Sequence, residues 1–267
     1  MIKAYYINLD GRPERRDFME RQLTGLGLSA TRFPAVTVAD IPSADIDAYC
    51  TAATGWSMRP IELACSYSHE ALWRIVSSTD EDEYTLILED DVLLSQHMPQ
   101  FLSGLEASSA SVPLIRLETS NHRCRMLKPI NVIGEIEIRP YRSTGFGSAA
   151  YLIKPSIARR LLDLRTVTRR PVDGALWDPL SSPIKWNERA LVNPGLAMQL
   201  FVHDAINKQA ESSISVSSLA LDRNAGLAVM SPLQWQMSRI YWDVRKTLDH
   251  LWFSLRGMDR AVVPYLP

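Results

Sequence analysis

Three consecutive carboxylates, Glu89, Asp90 and Asp91, follow the apolar run 85–88 in the stretch TLILEDDVLL. Their mutual repulsion needs an offset, and an oxygen-rich cluster of this kind suits a hard cation such as Mg²⁺ or Mn²⁺. Such an ion bridges protein carboxylates to phosphate oxygens and stabilises charge on a departing diphosphate. In an extended chain Glu89 and Asp91 point to one side and Asp90 to the other. Glu89 and Asp91 are then a pair, with Asp90 free for a different group. The plainer alternative is a solvated loop after a strand. The sequence contains no GxxxxGK, and no GxGxxG follows its first apolar run, so phosphate-loop nucleotidases and dinucleotide dehydrogenases lose ground.

Acids with that task must stand at the mouth of a rigid element. Residues 85–88 lack the alternation of a half-wet strand and read as a strand covered on both faces, typical of a parallel sheet. The carboxyl ends of such strands form the ligand crevice of open α/β sheets. Upstream, KAYYINL (3–9) reads as the first strand, followed by a turn and a charged helix that stops at Gly25 and Gly27. ATRFPAV (30–36) is a second strand, and residues 37–58 show no period and read as irregular. A helix is expected over 60–77 with Leu63, Tyr67, Leu72, Ile75 and Val76 facing inward. Another helix is expected near 98–107, a strand in VPLIRLE, and an exposed, antiparallel strand in EIEIRPY. GSAAYLIKP forms a strand leading into a helix over 155–164, and ALVNPGLAMQLF holds a last strand. The expected fold class is α/β: one domain over residues 1–210, with a helical appendage over 211–267.

Composition permits this and narrows the rest. A chain of 267 residues supports one large α/β domain with a sizeable core. Its 46% hydrophobic and 22% charged content is ordinary for a globular protein, and a net charge of −1 gives no reason to expect a nucleic-acid partner. Cys50, Cys65 and Cys124 are widely spaced and read as reduced thiols of a cytoplasmic protein. The N-terminal residues do not read as a signal peptide. No stretch approaches the ~20 apolar residues that span a bilayer.

Five segments in order, YYINLDGRPERR, ELACSYSHEALW, LILEDDV, GSAAYLIKPSIARRLL and PVDGALW, resemble glycosyltransferase family 25. That family includes bacterial lipooligosaccharide galactosyltransferases and related collagen galactosyltransferases. The resemblance implies a GT-A-type enzyme, with a Rossmann-type mixed sheet flanked by helices, a UDP-sugar donor, a divalent cation (Mn²⁺ or Mg²⁺) and inversion at the anomeric carbon. The Glu-Asp-Asp triplet then stands where GT-A enzymes carry Asp-x-Asp. It further implies that Asp91 ligates the metal, and that Glu89 and Asp90 contact the metal or the ribose. Asn8 and Arg12 would hold the nucleotide at the end of the first strand, with Arg15 and Arg16 in the same motif; a solvated helix face is the alternative for these arginines. His69 would lie near the nucleotide, against the alternative of a structural histidine, and Cys65 reads as packing. Asp173 is the candidate general base, since an inverting transferase must take the acceptor hydroxyl's proton as that oxygen attacks; a helix N-cap is its structural alternative. Gly145 and Gly147 would let the backbone approach a ligand, or simply form a tight turn. Trp177 either stacks on an acceptor sugar or packs in the core.

The resulting expectation is transfer of a hexose, galactose by resemblance, to an oligosaccharide or lipid-linked glycan such as a lipooligosaccharide core on the cytosolic face of an inner membrane. The rivals are a metal-dependent phosphohydrolase or nucleotidyltransferase, and an inactive relative that binds sugar or a partner. Beyond residue 210, SPLQ (231–234) is a capping-box pattern and Gly257 a stop. The helix between them would run roughly 25 residues, ~37 Å. Its stripe through Met237, Ile240, Val244 and Leu248 suits packing on the domain or on a second subunit. Trp235, Arg239, Trp242, Lys246 and Phe253 on the other side suit a membrane surface or a dimer.

Overall fold

The first strand, β1 (Lys3–Asn8), takes parallel partners on both sides: β2 (Thr31–Pro34) and β3 (Thr85–Glu89). Parallel neighbours need crossovers, and the helices α1 (Pro13–Gly25) and α3 (Pro60–Ser77) lie in them. The structure is a computed structural model that describes residues 2–50, 58–79, 83–108, 112–142, 147–163, 170–178, 182–211, 244 and 258–267. Within them, α2 (Ser43–Cys50), β4 (Val92–Leu94), α4 (Met98–Ala107), β5 (Leu114–Arg116), β6 (Arg123–Met126), β7 (Asn131–Ile133) and β8 (Ile136–Pro140) follow in chain order. Then come β9 (Ala150–Ile153), α5 (Pro155–Asp163), α6 (Val172–Trp177), β10 (Arg189–Asn193), β11 (Ala197–Gln199), α7 (Leu200–Glu211) and β12 (Asp259–Val262). The large sheet has eight strands in the order β2-β1-β3-β9-β5-β10-β8-β7. It is a mixed α/β fold with helices on both faces.

Strand alternation divides the core. Tyr6, Leu86, Leu88, Ile115 and Leu152 face α1 and α4 with Met19, Leu23 and Phe101. Ile7, Ile87, Leu114, Tyr151 and Ile153 face α3, α5 and α6 with Leu72, Trp73, Ile157 and Trp177. Burial on both faces explains the unbroken apolar run at 85–88, all of it buried. β9 runs antiparallel between β3 and β5, so its amino end lies beside their carboxyl ends. That one reversal brings residues 147–149 to the acids.

Several expectations change. The segment 37–58 contains α2 and a short 3-10 turn, Val38–Asp40. The inward face of α3 is rotated from the expected stripe: Ile75 is exposed, and Ser66, Ser68, His69 and Trp73 are buried with Leu63, Leu72 and Val76. Polar side chains hydrogen-bonded inside the fold occupy positions that an apolar pattern cannot flag. β8 is antiparallel as expected but buried, because it lies between β10 and β7 rather than at the rim. ALVNPGLAMQLF holds two strands, β10 and β11, and the last strand is β12. The amphipathic helix expected before Gly257 lies outside the described residues, apart from Val244, which is helical and exposed. Gly145 also lies outside them. Residues 258–267, expected in the appendage, instead return to the sheet domain. β12 pairs with β6, Val263 is buried, and Gly195 N–H donates to the Pro264 carbonyl at 2.8 Å.

Thr119 anchors that returning strand. Its hydroxyl donates to the Val263 carbonyl at 2.6 Å and accepts from Asn121 N–H at 3.0 Å. Thr119→Val keeps the shape and leaves both partners unpaired, so unfolding free energy should fall by ~1–3 kcal/mol in denaturant melts. An unchanged midpoint would show that the C-terminal segment is not held there.

Candidate active site

The acids stand at the carboxyl ends of β1, β3 and β5, where the amino end of β9 comes in. Glu89 is the last residue of β3 and pairs in register with Ile7 of β1; Asp90 and Asp91 form the turn into β4. Because the strand stops at Glu89, the alternation expected for the triplet does not carry through. Glu89 sits under α3, and Asp90 and Asp91 share one cation: Arg15 Nη1 lies 3.1 Å from Asp90 Oδ1 and 3.2 Å from Asp91 Oδ2.

Asn8 is the hub of this corner. It is buried, its amide donates to Asp90 Oδ2 at 2.7 Å and to the Arg12 carbonyl at 3.1 Å, and its oxygen accepts from Arg32 Nε at 2.9 Å. Both amide donors are thus engaged in holding Asp90 and the start of α1. The structure brings Arg15 to the acids and leaves Arg12 and Arg16 facing outward with Glu14 and Asp17 as neighbours. Arg15 and Arg16 differ in the face of α1 they occupy, and Arg12 precedes the helix as its N-cap residue.

Glu89 Oε1 accepts from Ser148 Oγ at 2.8 Å and lies 3.4 Å from His69 Nε2. Burial works against its charge, but the facing imidazole, the Ser148 hydroxyl and Arg15 outweigh that and hold its carboxyl below the usual range. Asp91 has the opposite balance. Burial and the nearby Glu89 outweigh Arg15 and push it up to about 6, and its Oδ1 is buried with no hydrogen-bond partner. Burial, then Glu89 and Asp173, push the Cys65 thiol well up.

Gly147 joins the acids to the second half of the chain. Its φ is +92°, and a Cβ there would meet the Glu118 carboxylate oxygens at 2.7 and 2.9 Å. Its N–H donates to Asp173 Oδ2 at 3.4 Å and its carbonyl accepts from Trp177 Nε1 at 2.9 Å. Asp173 is the second residue of α6, whose N-cap is Pro171, so the cap role considered for it is not the one it plays. Its Oδ1 accepts from Gly174 N–H at 2.7 Å. Burial raises its pKa against those two backbone donors. Trp177 is fully buried, which assigns it to packing.

Glu118 is the residue the sequence reading passed over. It lies two residues beyond the end of β5, as Asp91 lies two beyond the end of β3, and that shared placement is the signal present in the sequence. Its Oε1 is 3.2 Å from Arg116 Nη2, its Oε2 accepts from Ala149 N–H at 3.2 Å, and both residues are buried. Burial pushes its carboxyl up to about 8, against the pull of Arg116.

The profile of a known family, described as glycosyltransferase family 25 (LPS biosynthesis protein), matches residues 1–176. A curated relative, a glycosyltransferase 25 family member of Aedes aegypti, is 34% identical over 99 residues, covering 33% of this chain and 16% of that protein. The match thus spans a small part of that relative's length. Among solved structures, the inositol-1-phosphate CTP transferase of T. maritima is similar at a TM-score of 0.31 and 13% identity, over 74% of this chain and 70% of that one. Likeness at that level carries no argument about activity.

Two measurements test this geometry. Gly147→Ala combines a left-handed backbone with a clash on Glu118, so it should cost ~1–3 kcal/mol of stability in chemical denaturation; a neutral effect would mean the loop is not seated on Glu118. The second is pH linkage. The folded Glu118 carboxyl keeps its proton up to about 8, whereas the unfolded one releases it near 4.5. Folding therefore takes up a proton between those values, and stability falls as pH rises through them. Glu118→Gln should flatten that part of the melting-temperature profile, and an unaltered slope would remove the assignment.

Proposed function

The chain belongs to glycosyltransferase family 25, and on that premise we propose that it is a metal-dependent inverting transferase. It moves a hexose from a UDP-sugar to a hydroxyl of an oligosaccharide. Galactose as the sugar rests on the resemblance to the family's galactosyltransferases, and a lipooligosaccharide core as the acceptor is in keeping with the family's description as an LPS biosynthesis protein. Among the described residues no helix is long and apolar enough to cross a membrane, so contact with a lipid-linked acceptor would be made from the surface.

Asp91 carries this reading. Buried polar atoms are nearly always paired, and its Oδ1 is buried without a partner beside Glu89 and Asp90. A hard divalent cation fits that opening, held by Asp91 with Glu89 as the second carboxylate. When bound, the cation offsets charge on the departing diphosphate. Asp90, clamped by Asn8 and Arg15, lines the ribose side, and Arg12 and Arg16 are placed to reach the nucleotide from solvent. His69 supports Glu89 from behind. Gly147, its backbone held by Asp173 and Trp177, serves the site by seating on Glu118 rather than by opening to the donor.

Asp173 is the proposed base. The acceptor oxygen forms its bond to the anomeric carbon as the bond to UDP breaks, and the hydroxyl proton passes to Asp173 Oδ2. That oxygen has a single long contact, with Gly147 N–H at 3.4 Å, and burial has already raised its proton affinity. Glu118, with both oxygens engaged beneath Gly147, is a positioning residue.

UDP release from UDP-galactose, stimulated by Mn²⁺ and by acceptor, tests the reading. Phosphate release from simple esters would favour a phosphohydrolase, and donor binding without turnover an inactive relative. Asp91→Asn should abolish transfer with the melting temperature within a few degrees of wild type; near-native turnover at saturating Mn²⁺ would sink the metal assignment. Asp173→Asn should slow turnover on the order of 10²–10⁴-fold with UDP affinity unchanged, and an unchanged kcat would remove it as base.

A further inference from the structure

Behind the acid triplet, on the α3 side of Glu89, lies a second set of donors with different chemistry. Cys65 and His69 are four residues apart on α3 and so share one face of that helix. Cys65 Sγ, a His69 ring nitrogen and a Glu89 carboxylate oxygen all lie within 4.8 Å of one another. We infer that these three side chains form a site for a borderline transition ion such as Zn²⁺, which would share Glu89 with the hard cation proposed at Asp91 and use different partners on the α3 side.

His69 supplies the main argument. It is completely buried, yet its Nε2 has no hydrogen-bond partner, a rare condition for a buried polar atom. Its nearest acceptor, Glu89 Oε1, is 3.4 Å away without hydrogen-bond geometry. Two ligand atoms, each ~2.0–2.1 Å from a tetrahedral ion, stand roughly 3.3–3.4 Å apart. The spacing that makes a poor hydrogen bond is therefore the edge of a metal tetrahedron.

The other ring nitrogen is already tied down. His69 Nδ1 is 2.8 Å from the Tyr151 hydroxyl, which accepts from Trp73 Nε1 at 2.8 Å. With an ion bound, Tyr151 accepts Nδ1–H on its second lone pair, and that tautomer presents the Nε2 lone pair to the ion. Metal-binding histidines characteristically have their far nitrogen fixed in this way. Glu89 is likewise held, by Ser148 at 2.8 Å.

The donor set chooses the ion. Thiolate, imidazole and carboxylate together suit Zn²⁺, whereas Mg²⁺ and Mn²⁺ prefer oxygen. As the sulphur–metal bond forms, the Cys65 thiol gives its proton to solvent. Three protein ligands leave a fourth position for water or an added ligand.

The test uses the full chain, stripped of metal and titrated with Co²⁺, then Zn²⁺. One equivalent of Co²⁺ should give tetrahedral ligand-field bands and a thiolate-to-cobalt charge-transfer band, both lost when Zn²⁺ displaces it. Cys65→Ser should abolish the charge-transfer band, and Tyr151→Phe should weaken affinity ~10–100-fold. Asp91→Asn should keep the cobalt spectrum while losing transfer, which separates this site from the transferase reading. Absence of the band in the folded wild type, or its persistence in Cys65→Ser, overturns the inference.

Discussion

Charge brought out of water at the end of a buried strand is the constraint on which this structure turns. β3 is buried on both faces, so whatever follows Leu88 emerges into a partly desolvated corner where three carboxylates repel one another. Arg15, Asn8, Ser148 and His69 converge on that corner from α1, β1, the start of β9 and α3. The compensation is uneven. Glu89 and Asp90 are well supplied with partners, whereas Asp91 retains a buried oxygen with none. The cation proposed at Asp91 would offset that imbalance.

The topology explains how the partners arrive. Parallel pairing of β1 with β3 sets Asn8 beside Asp90, and the turn into α1 delivers Arg15. The antiparallel insertion of β9 between β3 and β5 brings Ser148 to Glu89 and Gly147 onto Glu118. A purely parallel sheet would leave that amino end on the opposite edge. Asp173, through Gly147 and Gly174, then ties α6 to the same corner. The C-terminal strand closes the arrangement from the side by bonding to Thr119 and Gly195, next to Glu118.

Buried Arg116 and Glu118 follow the same logic at the end of β5. A lone buried glutamate would stay protonated at neutral pH; the adjacent guanidinium draws it back only as far as about 8. The pair therefore supports Gly147 while remaining sensitive to pH. It is buried beneath Gly147, whereas Asp91 and Asp173 are half-buried.

Much of this was legible from residue order. Apolar runs, the glycine stop after α1 and the acid triplet located the strands, α3 and the carboxylates at the carboxyl end of β3, because short-range periodicity and turn chemistry are local properties. The resemblance in five ordered segments identified the family. What residue order could not decide was which arginine meets the acids: Arg12, Arg15 and Arg16 are equivalent as charges, and only the helix phase set by packing on β1 and β4 selects Arg15. Nor could it show that His69 faces Glu89, that Glu118 lies under Gly147, or that residues 258–267 return to the sheet. Those contacts join segments far apart in the chain, and they depend on β9 entering antiparallel between two strands. Strand direction inside a sheet is settled by how the whole set of faces is buried, so it exists only in the tertiary structure.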